Sequence, residues 1–241
     1  SSDLSAGVLK QIMEDLASGY SNDDLLALYT LTGGIPKYVE LFCDNQALTI
    51  DKMYDFVFSE NSLFIDEGRN LLITEFGKNY GTYFSILSEI ANGHYTQGEI
   101  ESALGGTAIG GYLSKLENVY NLITRERPIF AKPGTKKNVR YVIGDNFLNF
   151  WFKYIEQNRS YIELQNFDDL RQLAKADYPT YSGRVLEKYF KQKLAETGGF
   201  KEIGSWWETK SSIGKQRINS YEIDIVALKS SGKKALIAEV K

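Results

Sequence analysis

Apolar residues recur at helical spacing through most of the first 180 residues, and short alternating runs appear in the last sixty, which predicts a helical front and a mixed α/β end. Residues 4–17 read as one helix, and Ser21-Asn22-Asp23-Asp24 offers cap residues for a second that carries Leu25, Leu26 and Leu28. In Thr32-Gly33-Gly34-Ile35-Pro36 the glycines stop that helix and the proline suits the first turn of the next, which runs from Tyr38 to about Cys43. Residues 50–68 read as a further helix with aromatic residues on one side. Residues 1–75 therefore form an all-helical module.

From residue 76 a second pattern begins. Residues 83–91 form an amphipathic helix ended by Asn92-Gly93, Thr96-Gln97-Gly98-Glu99 is a capping box for a short helix to Leu104, and Gly105-Gly106 makes the turn. A third helix over 107–118 turns Leu113 and Leu116 inward, with Val119 following, and two strand-like stretches flank Lys132-Pro133-Gly134-Thr135. Helix, short helix, turn, helix and two strands is the order of a winged helix-turn-helix over 76–145. Asp145 caps a helix over 147–158 dense in Phe147, Phe150, Trp151, Phe152 and Tyr154. Its rings suit either a nucleotide-stacking platform or a buried docking helix, and the second is preferred. Residues 146–180 read as a helical connector. Within 181–241, a helix over 183–196 with a stripe of Val185, Leu186, Tyr189, Phe190 and Leu194 precedes strands over 202–209, 221–228 and 234–241. The predicted fold class is α+β and multi-domain.

Composition narrows the setting. The chain has 241 residues, of which 43% are hydrophobic and 24% charged. It carries no apolar run near the roughly 20 residues that span a bilayer. Its start lacks the basic-then-apolar order of a signal peptide, and the missing initiator Met reads as a cut fragment. The single cysteine, Cys43, has no internal disulfide partner, which points to a reducing, cytoplasmic setting and a structural thiol. The single His94 cannot nucleate a His/Cys metal site. Net charge is −3, so a nucleic-acid site has to come from a local cluster. One such cluster contains Arg125, Arg127, Lys132, Lys136, Lys137 and Arg140 against Glu126 alone.

The last segment holds the candidate chemistry. Alternation along a strand puts Glu239 and Lys241 on one face, and Asp224 on one face with Glu222 and Val226. Hydrolysing a phosphodiester near neutral pH calls for a hard cation held by carboxylate oxygens, which polarises the phosphate and lowers the pKa of a bound water. Asp224 and Glu239 suit a Mg²⁺ ion, and Lys241 suits the attacking water or the charge that builds on phosphorus. Glu187, at the edge of its helix's apolar stripe, adds a third carboxylate.

Glu187, Tyr221-Glu222-Ile223-Asp224-Ile225-Val226 and Ala238-Glu239-Val240-Lys241 resemble the PD-(D/E)xK nuclease signature. With Thr32-Gly33-Gly34-Ile35-Pro36-Lys37-Tyr38 and the winged-helix pattern before them, they resemble the carboxy-terminal half of the archaeal-type AAA+ ATPases of archaea and bacteria. That resemblance covers nearly the whole chain. It implies a helical lid, a winged helix and a nuclease-like domain following an ATPase core that this chain lacks. It also implies that Gly34 and Pro36 lie near ATP in the intact protein, although an ordinary helix stop and start explains them equally well. No Gly-x-x-x-x-Gly-Lys-Ser/Thr string is present, the nearest being Ile213-Gly214-Lys215-Gln216, so this chain alone is expected not to hydrolyse ATP. The chain ends at Lys241, where the nuclease-type fold is expected to continue.

The basic cluster falls on the predicted wing, where it would neutralise the phosphates of duplex DNA and position the third helix, whose one cation is Lys115. Gly110-Gly111 leaves that helix smooth and Glu117 adds an acid, so the expected binding is mostly nonspecific. The competing reading is a non-enzymatic regulatory or protein-interaction module of an ATPase, in which the acids and lysine are remnants or salt-bridge partners. Oligomeric state is not legible.

Overall fold

The computed structural model describes residues 3–132, 139–208, 212–213, 216–217, 221–232 and 234–240. The fold is α+β and divides into two compact units, Ser1–Thr124 with Val142–Ser182, and Arg125–Tyr141 with Gly183–Lys241.

The first unit is built from α1 (Ala6–Leu16), α2 (Asn22–Thr32), α3 (Pro36–Asp44), α4 (Ile50–Val57), α5 (Phe64–Phe76), α6 (Tyr80–Ala91), α7 (Gln97–Ala103) and α8 (Gly110–Asn118). The short strands β1 (Ile123–Glu126) and β2 (Arg140–Ile143) pair next in sequence, followed by α9 (Asn146–Phe150) and α10 (Arg159–Glu163). The expected capping box forms, and the cap residues before α2 make a second. Ser21 exchanges hydrogen bonds with Asp24, and Thr96 does so with Glu99. Asp24 also accepts the Ile50 amide at 2.7 Å, so one carboxylate caps α2 and ties down the start of α4.

The expected single helix over 50–68 is two helices. The chain breaks between Val57 and Phe64, and α5 then continues through Gly68 to Phe76. Gly68 is not a stop. A Cβ there would lie 2.2 Å from the Trp151 indole, so the glycine makes room for a ring inside the unit. Trp151 is fully buried and its Nε1 donates to the Phe64 carbonyl at 2.9 Å.

The aromatic helix also differs from the expected α-helix over 147–158. After α9 the chain makes a π-helical turn over Trp151–Ile155 and a 3₁₀ turn over Glu156–Asn158. Phe147, Phe150, Trp151, Phe152 and Tyr154 are all buried, against rings that include Tyr38, Phe58 and Phe84. These rings are core and offer no stacking platform. The third helix of the wing-like pattern starts at Gly110 rather than 107, because Thr107 first closes a turn onto the Leu104 carbonyl at 3.0 Å.

Gly34 has a local explanation. Its φ is +79°, and an added Cβ would meet the Leu4 carbonyl oxygen at 2.3 Å, where Leu4 N donates to the Gly34 carbonyl at 2.7 Å. Pro36 occupies the first turn of α3. Gly34→Ala should therefore cost about 1 kcal/mol for the left-handed backbone and loosen the first residues. Thermal melting together with faster amide exchange at Leu4 would register it, and an unchanged melting curve would contradict this account.

The connector and the helix expected over 183–196 are one element, α11 (Phe167–Thr197), with Pro179 inside it. The buried stripe Leu170, Ala174, Tyr178, Tyr181, Ser182 and Val185 keeps helical spacing straight through Gly183, so the helix does not end there. The second unit adds β3 (Phe200–Trp207), the short pair β4 (Ser212–Ile213) and β5 (Gln216–Arg217), β6 (Glu222–Lys229) and β7 (Ala235–Ala238). Its main sheet is antiparallel in the order β3-β6-β7. The last strand is shorter than the expected 234–241. No helix among the described residues is long and apolar enough to cross a membrane.

Candidate functional site

Glu187 and Asp224, two of the acids predicted from spacing, lie near each other in the second unit. Ile225 pairs with Ala238 across β6 and β7. That is the last pair of the ladder, and Glu239 follows it directly in sequence. The ladder stops at Ala238 because the Asp224 carboxylate takes the next amide, accepting from Val240 N at 2.9 Å. Asp224 is half-buried and Glu239 exposed.

Glu187 reaches the same neighbourhood from α11. Burial raises its pKa above the ordinary glutamate value, Lys191 one turn on opposes the rise, and the nearby charges of Asp224 and Glu222 add to it. Lys191 Nζ lies 3.6 Å from Glu187 Oε2 and donates to Ser205 Oγ on β3. Between the pairs Gly204–Val226 and Trp206–Ile223, Ser205 alone faces Ile225 and Asp224, so the extra residue of this bulge is on β6. A bulge bends the strand that carries it. On edge strand β3, the Ser205 carbonyl accepts Ile129 N at 2.8 Å.

Burial of Glu187 gives a prediction with a definite sign. A carboxyl with a raised folded pKa binds more protons folded than unfolded above the ordinary value, so its contribution to stability is lost as pH rises through that range. Glu187→Gln should therefore raise the melting temperature near pH 7 by about 1–3 °C and leave it nearly unchanged at pH 4. A pH-independent difference would show that the side chain's charge is not what burial opposes.

The basic cluster takes an unexpected place. Residues 125–141 belong to the second unit. Arg125 and Arg127 are exposed, with the Arg125 guanidinium 5.5 Å from the Tyr141 ring centroid, and Lys132 is exposed. Arg140 grips Glu222 with both terminal nitrogens, the second at 3.1 Å, and lies 4.2 Å over the Trp207 ring. Trp207 and Glu222 are themselves cross-strand partners. Lys115 is exposed on α8 in the other unit. Lys136, Lys137 and Lys241 lie outside the described residues, and Gly34 and Pro36 lie in the first unit, where local packing accounts for them.

Sequence reasoning missed Lys191, Ser205 and Trp207, and treated Glu222 only as a neighbour of Asp224. Lys191 was within reach, since it follows Glu187 at the i, i+4 spacing that pairs charges on a helix. Ser205 and Trp207 were not, because a bulge and a cation over a ring depend on pairing that one strand does not reveal. Cys43 is half-buried, and burial with Asp44 and Glu40 nearby pushes its thiol upward, which suits an inert thiol. His94 pairs with Glu89 at 2.6 Å.

Among the described residues no group of three His, Cys, Asp or Glu side chains is placed to hold a metal ion.

Residues 151–241 match the model of a family described as archaeal and bacterial proteins of unknown function. The chain is also similar to an uncharacterized protein of Methanocaldococcus jannaschii, 35% identical over 232 residues, which is 91% of this chain and 48% of that protein. The chain thus spans about half the length of this curated relative. No solved structure matches it.

Proposed function

We propose that the second unit is a PD-(D/E)xK-type domain for Mg²⁺-dependent phosphodiester cleavage, within an ATP-dependent protein that binds duplex DNA partly through a winged helix at residues 76–145. The observation that carries this reading is the closeness of Glu187 on α11 to Asp224 and Glu222 on β6. Asp224 and Glu239 would hold the ion, which would polarise the phosphate and make a bound water acidic. Asp224, fixed by the Val240 amide, keeps its position as charge develops. Glu187, whose pKa burial raises, is the group suited to take or give a proton. Lys191 holds Glu187 from one side and Ser205 from the other, so it orients that acid. Lys241 stays the proposed partner of the attacking water. The cations Arg125, Arg127, Lys132, Lys136, Lys137 and Arg140 would hold the backbone; Lys115, on α8 of the first unit, is a separate candidate for a phosphate contact. ATP belongs to the core of the intact protein, in whose lid Gly34 and Pro36 would lie.

The test is plasmid nicking by the intact protein with Mg²⁺ or Mn²⁺, with and without ATP, beside Asp224→Ala and Lys241→Ala. Cleavage lost in both variants supports the nuclease reading, and dependence on ATP would make the first unit its coupling element. One observation favours the regulatory alternative: Glu187 and Glu222 both face internal cations, Lys191 and Arg140. Absence of cleavage under every condition, with DNA binding intact, would select it.

A further inference from the structure

The pairing of Arg140 with Glu222 has the chemistry of an occupied binding site. A guanidinium fork takes a carboxylate and a phosphate in the same two-point geometry, and a ring beneath it fixes the plane of the fork. Arg140 has both features, two nitrogens on Glu222 and Trp207 underneath. Glu222 is 43% exposed at its side chain, so water and solutes reach the pair. It lies two residues before Asp224 on β6 and is close enough to Glu187 to raise its pKa. The segment carrying Arg140 is docked independently by Ile129 N on the Ser205 carbonyl, with Ile129 buried. Exchange of partners at Arg140 therefore does not require the segment to leave.

We propose that Arg140 on Trp207 is a subsite for a backbone phosphate of nucleic acid, occupied in the unliganded protein by Glu222 as an internal stand-in. The proposal rests on the DNA-binding reading above and adds to it a defined competitor. A phosphate that displaces Glu222 sits beside Asp224, as the neighbour of the phosphate to be cut. The same exchange removes Arg140 from Glu222 and leaves that carboxylate on the strand that carries Asp224.

The experiment is a double-mutant cycle on the full chain, with affinity for a short DNA duplex measured by fluorescence anisotropy across a salt series. Glu222→Gln should tighten binding about 3- to 5-fold, the size expected for releasing one partly exposed ion pair. Arg140→Gln should weaken binding and reduce the slope of log affinity against log salt by about one. In the Arg140→Gln background, Glu222→Gln should then have no further effect. An equal tightening in both backgrounds would mean only that a negative charge has left the surface, and overturns the subsite. Duplex binding that neither substitution changes also overturns it while sparing the DNA reading. No binding by the unsubstituted chain overturns both. Inorganic phosphate is the second probe. If low millimolar phosphate displaces the duplex from the unsubstituted chain but not from Arg140→Gln, the site serves free phosphate and the backbone assignment fails. Should Arg140→Gln melt early, Arg140→Lys replaces it, since lysine keeps the charge and loses the fork.

Discussion

Gly68→Ala is expected to lower the melting temperature by about 4–8 °C, from a net loss of about 2 kcal/mol in a chain of this size. The added methyl would stand 2.2–2.7 Å from three atoms of the Trp151 indole. That ring cannot retreat easily, because it is fully buried, bonded to the Phe64 carbonyl and lies under the Arg159 guanidinium at 5.8 Å. Overpacking of this kind costs about 3 kcal/mol, and the better helix propensity of alanine returns about 1. Trp151→Leu supplies the control. With the ring gone, the same Gly68→Ala change should be neutral or stabilising, and a cost that survives in the double variant would place the strain elsewhere.

Asp224→Asn should reduce any metal-dependent cleavage by about 10³-fold, since several kcal/mol of charge stabilisation passes through such a ligand. The same substitution should barely move the melting temperature. Asparagine keeps a carbonyl oxygen where Asp224 accepts the Val240 amide, so the strand end survives while the charge disappears. Glu239→Gln, on an exposed side chain, should show the same separation. Cleavage by Asp224→Asn at the unsubstituted rate would remove Asp224 from the mechanism.

Much of the helical architecture was legible because caps and periodicity are local. Ser21 with Asp24, Thr96 with Glu99 and Asp145 all cap where their spacing indicates. The errors came where a residue serves a distant partner. Gly68 resembles a stop and is a cavity for Trp151. Gly183 resembles a start and lies inside α11, because the stripe beneath it never breaks. Alternation assigns Asp224 and Glu239 faces but leaves register open, and the bond from Val240 to Asp224 lies beyond the last pair of the ladder. The role of Arg140 was hidden altogether. Its charge was visible in the sequence, whereas its partners Trp207 and Glu222 lie more than sixty residues further on.

The three tryptophans are divided between the units, Trp151 in the first and Trp206 and Trp207 in the second. The molecule therefore carries built-in optical reporters. With Trp206 and Trp207 replaced by phenylalanine, the remaining emission comes from one sealed indole and follows the first unit alone. With Trp151 replaced instead, emission comes from the strand that carries Trp207 beneath Arg140, and a change in the cation above that ring alters its brightness. Denaturant titrations of the two variants would reveal whether the units unfold in one transition or two, without a dye or a label.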